Sequence, residues 1–157
     1  MTSSPSPALT WIIPAVSIVL FFCSGHLLAF ISGWHRLAMR FRMEGEFTGQ
    51  KWKMQSARLR FTRYGNVLTI GANQTGLFLA PFVLFSMGHP PLFIPWTEIS
   101  NVRPVTILLF KFVAMHLGQE EQIPFTIGEN LANQLKALAD TAWPAGNRNW
   151  EQPPPIG

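Results

Sequence analysis

Residues 12–31 read IIPAVSIVLFFCSGHLLAFI, twenty consecutive positions without a charged side chain. Twenty residues of α-helix span about 30 Å, the thickness of the hydrocarbon core of a bilayer. Trp11 and Trp34 flank the run, and indole rings favour the two membrane interfaces. A domain formed by the remaining residues is too small to surround such a helix on all sides. The run therefore predicts a transmembrane helix at residues 11–34, preceded by a tail at residues 1–10.

The residues on either side of the apolar run predict whether it is retained and how it is oriented. Secretory signal peptides carry basic residues ahead of a short apolar core, whereas residues 1–10, MTSSPSPALT, have no basic side chain. We therefore expect the run to be retained. Because positive charge stays on the cytoplasmic side, the amino terminus is expected outside and the rest of the chain in the cytoplasm. The basic residues that set this orientation are Arg36, Arg40, Arg42, Lys51 and Lys53.

The composition excludes several classes of protein. Of the 157 residues, 48% are apolar and 13% are charged, whereas soluble domains carry about 25% charged residues. This balance excludes a disordered chain, and the single cysteine excludes a disulfide framework. The sequence contains no phosphate-binding loop or dinucleotide fingerprint, and no histidine pair has metal-ligand spacing. We predict no catalytic activity, no cofactor and no metal.

Beyond the apolar run, the spacing of apolar residues changes from helical to alternating. The helical repeat at residues 30–41 predicts a basic amphipathic helix within a juxtamembrane segment at residues 35–50, close to the lipid headgroups. From residue 51 the period is two, which predicts about six antiparallel strands. The expected architecture is α+β: the transmembrane helix, a small antiparallel β domain at residues 51–143, and a flexible tail at residues 144–157. The β domain is expected to end in a C-terminal helix that starts at Gly128 and Glu129 and is stopped by Pro144.

Changes of parity and turn residues predict where the strands begin and end. A parity change near Gln55 predicts a β-bulge in the first strand. Pro95 predicts an edge strand at residues 92–99, because proline cannot donate to a ladder. Residues 105–117 are expected to form one long strand. The other expected strands are residues 51–61, 67–70, 77–80 and 122–127, with turns at residues 64–66, 71–76 and 118–121.

Two short strings carry a resemblance to known proteins. The strings are GHPPL at residues 88–92 and IPWTEI at residues 94–99, and they follow Gly33-Trp34 and residues 76–79, GLFL. This pattern resembles an uncharacterised bacterial family of short membrane-anchored proteins, and the match covers roughly residues 30–140. The meander of strands closed by one helix resembles the pleckstrin-homology-like small barrel. The resemblance implies a pleckstrin-homology-like domain at the bacterial inner membrane and no particular activity.

Two polar features point to interactions. Ser24, Gly25 and His26 form a small polar notch that is expected to pack against another transmembrane helix, with cofactor ligation by His26 as the alternative. Eight of the twelve Lys and Arg residues lie between residues 36 and 63, with a net charge of +6. Beside a bilayer, such a cluster favours contact with anionic headgroups. The alternative is that the cluster only sets the orientation of the chain in the membrane. Because the tether already supplies an anionic surface, no nucleic acid partner is expected.

The segment from Pro81 to Trp96 is too apolar for an ordinary connection. A small core has room for only part of these side chains, and an exposed apolar patch usually marks an interface. A hairpin dipping into the membrane is the alternative, and the prolines of the segment argue against a continuous second span. The residues expected to face lipid or a partner are Arg36, Arg40, Arg42, Lys51, Lys53, Phe82, Phe85, His89 and Trp96.

These features favour one function and leave two alternatives. The favoured function is a non-catalytic accessory or scaffold subunit of a protein complex, integral to the bacterial inner membrane. The first alternative is a tethered domain that binds anionic lipid headgroups. The second is an enzyme acting on a lipid or envelope substrate, with His89 and Glu98 as its only candidate site groups.

The charge asymmetry across the apolar run predicts the topology of the chain. A reporter that is active only in the cytoplasm should be active when fused after Gly157 and silent when fused at the amino terminus. Activity assays of the two fusions in intact cells measure this. The reverse pattern of activity would show that the domain lies outside the cytoplasm.

Overall fold

The computed structural model describes residues 12–14, 16–17, 32–82, 86 and 89–144. Within these residues the architecture of the domain is α+β, as predicted, with one more strand than the six expected: seven antiparallel strands lie in one sheet, between the helix at Trp34–Phe41 and the helix at Glu129–Ala139. Residues 12–14 and 16–17 are also helical. The elements are α1 (Trp34–Phe41), β1 (Gln50–Leu59), β2 (Thr62–Ala72), β3 (Gly76–Pro81), β4 (Leu92–Pro95), a 3₁₀ helix (Trp96–Glu98), β5 (Ile99–Ile107), β6 (Phe110–Leu117), β7 (Ile123–Gly128), α2 (Glu129–Ala139) and a second 3₁₀ helix (Asp140–Ala142).

The sheet consists of two meanders that meet at one strand pair. Its order is β4-β3-β2-β1-β7-β6-β5, so the first four strands and the last three each follow chain order. β1 joins β7 through the pairs Ala57–Ile127, Arg58–Thr126 and Leu59–Phe125. The two edge strands, β4 and β5, are separated only by the three-residue 3₁₀ helix. Because so short a connection cannot cross a flat seven-stranded sheet, the sheet curls to bring its edges together.

Several predicted elements are confirmed. The register of β1 with β2 shifts on both sides of Gln55, where the bulge was expected. β4 is an edge strand and ends at Pro95. β7 pairs back on β6, and the C-terminal helix is present with Leu131 and Leu135 buried. The apolar spacing predicted these elements because each strand or helix buries one face.

One turn assignment and one strand assignment are wrong, and one expected turn is shorter than predicted. Tyr64–Asn66 lies inside β2, and the chain reverses instead at Arg60 and Phe61, with Arg60 at φ +53°. The turn expected at residues 71–76 is shorter, because β2 continues to Ala72. The expected long strand at residues 105–117 is a hairpin, β5–β6, that reverses at Leu108 and Leu109. Neither residue is a usual turn residue, so the alternation gave no sign of the reversal.

The predicted juxtamembrane helix is part of the core. Trp34, Leu37 and Phe41 of α1 are buried in the same cluster as the inner faces of the strands. Gly33 precedes the helix at φ +82°, and a Cβ there would lie 2.7 Å from Cδ1 of Ile123. Glycine is therefore favoured where the chain enters the domain because of this left-handed backbone conformation.

Among the described residues, no helix is long and apolar enough to cross a bilayer. Most of the predicted transmembrane helix lies outside these residues, including Ser24, Gly25 and His26.

Truncating one buried side chain of α1 should show how much the packing of this helix contributes to the free energy of unfolding. Leu37 is 0% exposed, so Leu37→Ala in the full chain in detergent should lower the free energy of unfolding by about 2–5 kcal/mol. Met39 is 72% exposed on the same helix, and Met39→Ala is the matched control. Denaturant unfolding followed by circular dichroism measures both variants. Equal, small losses of stability would show that α1 is not part of the folded core.

Candidate functional site

A buried polar cluster lies where the chain enters the domain. The Tyr64 hydroxyl donates to Oγ of Ser32 at 2.9 Å and lies 3.1 Å from Nε2 of His89. Nε1 of Trp34 donates to the carbonyl of Pro90 at 2.9 Å. The cluster therefore ties together the residues that precede α1, strand β2 and the segment that leads into β4.

The three rings of the cluster pack against one another. The Trp34 ring centroid lies 5.3 Å from that of His89 and 5.9 Å from that of Tyr64. Burial raises the pKa of Tyr64 above its ordinary value of 10.0, and the hydrogen bond with Ser32 lowers it by a smaller amount. The phenol is therefore neutral near pH 7, and its role in the cluster is hydrogen bonding and packing.

The structure places two predicted lipid- or partner-facing residues inside the protein. His89 is 4% exposed and belongs to the buried cluster. Trp96 is 3% exposed, donates from Nε1 to the carbonyl of Asn73 at 3.0 Å, and packs against Trp143. The prediction for these two side chains is corrected, because each finds its hydrogen-bond partner within the fold.

Arg40 is held by acidic residues of the domain. Its guanidinium lies 3.3 Å from Glu98, 3.2 Å from Glu120 and 3.8 Å from Glu121. Glu98 also accepts from the backbone N–H of Gln119 at 3.1 Å. Partly exposed ion pairs add little stability. Their effect is to position the end of α1 against the 3₁₀ helix that ends at Glu98 and against the turn between β6 and β7. Because acidic residues of the domain already pair with its guanidinium, Arg40 is a poor candidate for binding a lipid phosphate.

The other predicted basic residues are exposed. Arg36 and Arg42 lie in and directly after α1, and Lys51 and Lys53 lie in β1. The Lys51 ammonium lies 5.6 Å from the ring centroid of Phe47, within cation–π range. No salt bridge involves these four residues within the part of the chain that the structure describes. They remain candidates for contact with an anionic surface.

The apolar loop is described only in part. Phe82 is 59% exposed, and its backbone N–H donates to the carbonyl of Val67 at 2.6 Å. Its backbone is therefore fixed by the sheet while its ring faces solvent. Phe85 lies outside the described residues.

The two candidate groups for an enzyme belong to different clusters. His89 contacts Tyr64 and Trp34, whereas Glu98 binds Arg40. Among the described residues, no group of three or more His, Cys, Asp or Glu is placed to hold a metal ion.

The sequence reasoning missed two features. Ser32 and Tyr64 carried no pattern that marks a hydrogen-bonded cluster, because their contact joins positions 32 residues apart. The apolar β5–β6 turn was hidden in a predicted strand, although four consecutive large apolar residues at positions 107–110 were a visible signal.

No protein-family model matches the chain, and no curated protein matches it. The geometry of the described residues is therefore the basis for a functional proposal.

Tyr64 is the only tyrosine in the chain, so absorbance at 295 nm titrates this phenol alone. The folded protein should titrate above pH 10.0 and the denatured protein near it. Because the folded state holds the proton to higher pH than the unfolded chain, this group lowers the free energy of unfolding as pH rises above 10. Tyr64→Phe should remove that part of the alkaline loss of stability.

Ser32→Ala is the control variant for this titration. The hydrogen bond from Tyr64 to Ser32 lowers the pKa of the phenol, so its removal should move the midpoint further upward. A wild-type midpoint at or below that of the denatured protein would show that Tyr64 is not buried in this cluster.

Proposed function

We propose that this chain is a non-catalytic accessory or scaffold subunit of a membrane protein complex, anchored by a single span at residues 11–34. The observation that carries the proposal is the joint between the apolar run and the domain. Ser32 and Gly33 are buried, and Trp34 is a core residue. The run at residues 12–31 is therefore followed in the sequence directly by residues of the core, with no separate linker sequence between them.

A joint of this kind fixes the domain with respect to its anchor. The hydrogen bond from Tyr64 to Ser32 and the packing of Trp34 hold the entry point, and Arg40 holds the other end of α1. A domain mounted in this way is restricted to a narrow range of heights and tilts above the bilayer. That property suits a subunit whose partners lie in the same membrane.

The topology supports a pleckstrin-homology-like assignment for the domain. A four-strand meander, a three-strand meander and a closing helix follow the same order as in that small barrel. Because one fold hosts many functions, this likeness supports the architecture and leaves the function to the residues.

The location proposed is the bacterial inner membrane, with the amino terminus outside and the domain in the cytoplasm. Arg36 and Arg42 are exposed just after the entry point, where positive charge retains the domain on the cytoplasmic side. The separation of His89 and Glu98 into two clusters argues against the enzyme alternative.

Contact with anionic lipid is the second candidate function. Arg36, Arg42, Lys51 and Lys53 are exposed, and basic residues near a bilayer each gain about 1 kcal/mol from anionic lipid.

Phe82 is the most accessible described residue of the predicted partner-facing loop. Phe82→Asp in the full chain should reduce the amount of partner that co-purifies in mild detergent while leaving thermal unfolding unchanged, because the ring contributes to an interface and little to the core. Met39→Asp is the control, since Met39 is also a large exposed apolar side chain. Quantitative mass spectrometry of the purified complexes measures the difference.

Two outcomes would contradict the proposal. A wild-type chain that purifies as a monomer from native membranes would show that it is not a stable subunit. Equal loss of partner in both variants would show that the loop is not the contact surface.

A further inference from the structure

The turn between β5 and β6 exposes four large apolar side chains in a row. Leu108 and Leu109 form its two-residue loop and are 87% and 94% exposed, and Ile107 and Phe110 pair beside them. Contiguous apolar surface of this kind usually marks a site of contact with protein or membrane. We call residues 107–110 the hairpin tip.

The backbone of the hairpin tip does not favour leucine. Leu108 has φ +57°, a left-handed conformation in which glycine or asparagine is the usual residue of a tight hairpin. An apolar side chain at this position improves neither the turn nor the solubility of the domain. Its presence indicates that the side chain contacts something outside the domain.

A cavity of about 370 Å³ lies beside the hairpin tip and brings basic and apolar side chains together. Arg58 and Arg63 line it, and they face each other directly across β1 and β2. Like charges placed opposite each other in a sheet destabilise the pair unless an anion lies between them. Its remaining lining includes Thr126, which supplies a hydroxyl group, and the apolar side chains of Ile107, Leu108, Phe110 and Phe112.

The strands around this cavity carry charge of one sign. Strands β1, β2, β5, β6 and β7 contain six Lys and Arg residues and no Asp or Glu. Glu98, Glu120 and Glu121 lie elsewhere, around Arg40, and Glu129 lies just beyond β7 at the start of α2. The surface that carries the hairpin tip therefore complements an anionic surface.

We propose that the hairpin tip enters an anionic phospholipid bilayer while Arg58 and Arg63 bind a lipid phosphate in the adjacent cavity. This inference rests on the proposed membrane anchoring of the chain. Lipid hydrocarbon chains can surround the exposed side chains of Leu108 and Leu109 without a matching pocket. A protein partner would have to provide a pocket that fits them. The basic residues around it match the phosphates of the headgroup layer.

The position of the entry point is compatible with this docking. Gly33 lies against Ile123, which pairs with Leu117 at one end of β6, and the hairpin tip lies at the other end. Eight residues of β strand span about 25 Å. If the outer face of these strands lies along the bilayer, the anchor and the hairpin tip reach the same membrane.

The test places a spin label on the hairpin tip of the full chain. The variant Cys23→Ser/Leu109→Cys carries the label, and it is reconstituted into lipid nanodiscs of phosphatidylcholine alone or of equal parts phosphatidylcholine and phosphatidylglycerol. In the anionic discs the label should become severalfold less accessible to a water-soluble nickel chelate and more accessible to oxygen. Arg58→Gln/Arg63→Gln should restore the accessibility seen in phosphatidylcholine, whereas Lys136→Glu, which changes the net charge by the same amount at an exposed position on α2, should not.

Each other result overturns the proposal in a distinguishable way. A chain that stays with the discs while its label remains accessible to nickel overturns the lipid site and leaves the membrane anchoring intact. A chain that leaves the discs overturns both. A label that is shielded in native membranes but not in pure lipid discs shows that a protein covers the hairpin tip. Equal effects of the two charge variants show that the attraction is unspecific and that the cavity binds no phosphate.

Discussion

The packing of Trp34 into the sheet is the interaction on which the rest of the structure depends. Trp34 is the first residue of α1, and it contacts Tyr64 from β2 and His89 from the segment before β4. These contacts place α1 inside the curl of the sheet, where Leu37 and Phe41 complete the core. The entry point of the apolar run is thereby fixed, because Ser32 is hydrogen bonded at the same place.

The distribution of charge follows from the same arrangement. The end of α1 lies beside the turns that carry Glu98, Glu120 and Glu121, so the acidic residues nearest to the helix are engaged by Arg40. The basic residues of β1 and β2 and the hairpin tip are left on a surface formed by strands without acidic residues. This cationic, partly apolar surface is the basis for the proposal that the domain lies along a bilayer and leaves its other surfaces to a partner.

The spacing of apolar residues predicted those strands and helices whose positions depend on which neighbouring side chains are buried. The alternation in β1, with its bulge at Gln55, the edge position of β4 and the closing helix all follow from which residues must be buried. The turn at Leu108 was not predicted because the apolar residues there are typical of strands. The residue type of Leu108 gives no indication of the left-handed backbone conformation that it adopts. The burial of His89 and Trp96 and the ion pairs of Arg40 were not predicted either, because their partners are distant in the sequence. The exposure of the hairpin tip follows from that same turn, and the four consecutive large apolar residues at positions 107–110 were its one visible sign in the sequence.

The most direct test of the rigid joint is the motion of the domain relative to its membrane. A fluorescent label at Leu109→Cys, with Cys23→Ser, should show anisotropy decay at the rate of the whole phosphatidylcholine nanodisc, without the faster component of a small domain tumbling alone. Inserting four Gly and Ser residues after Ile31 should create that faster component. A fast component already present in the uninterrupted chain would contradict the rigid joint, and with it the argument that the domain is restricted to a narrow range of heights and tilts above the bilayer.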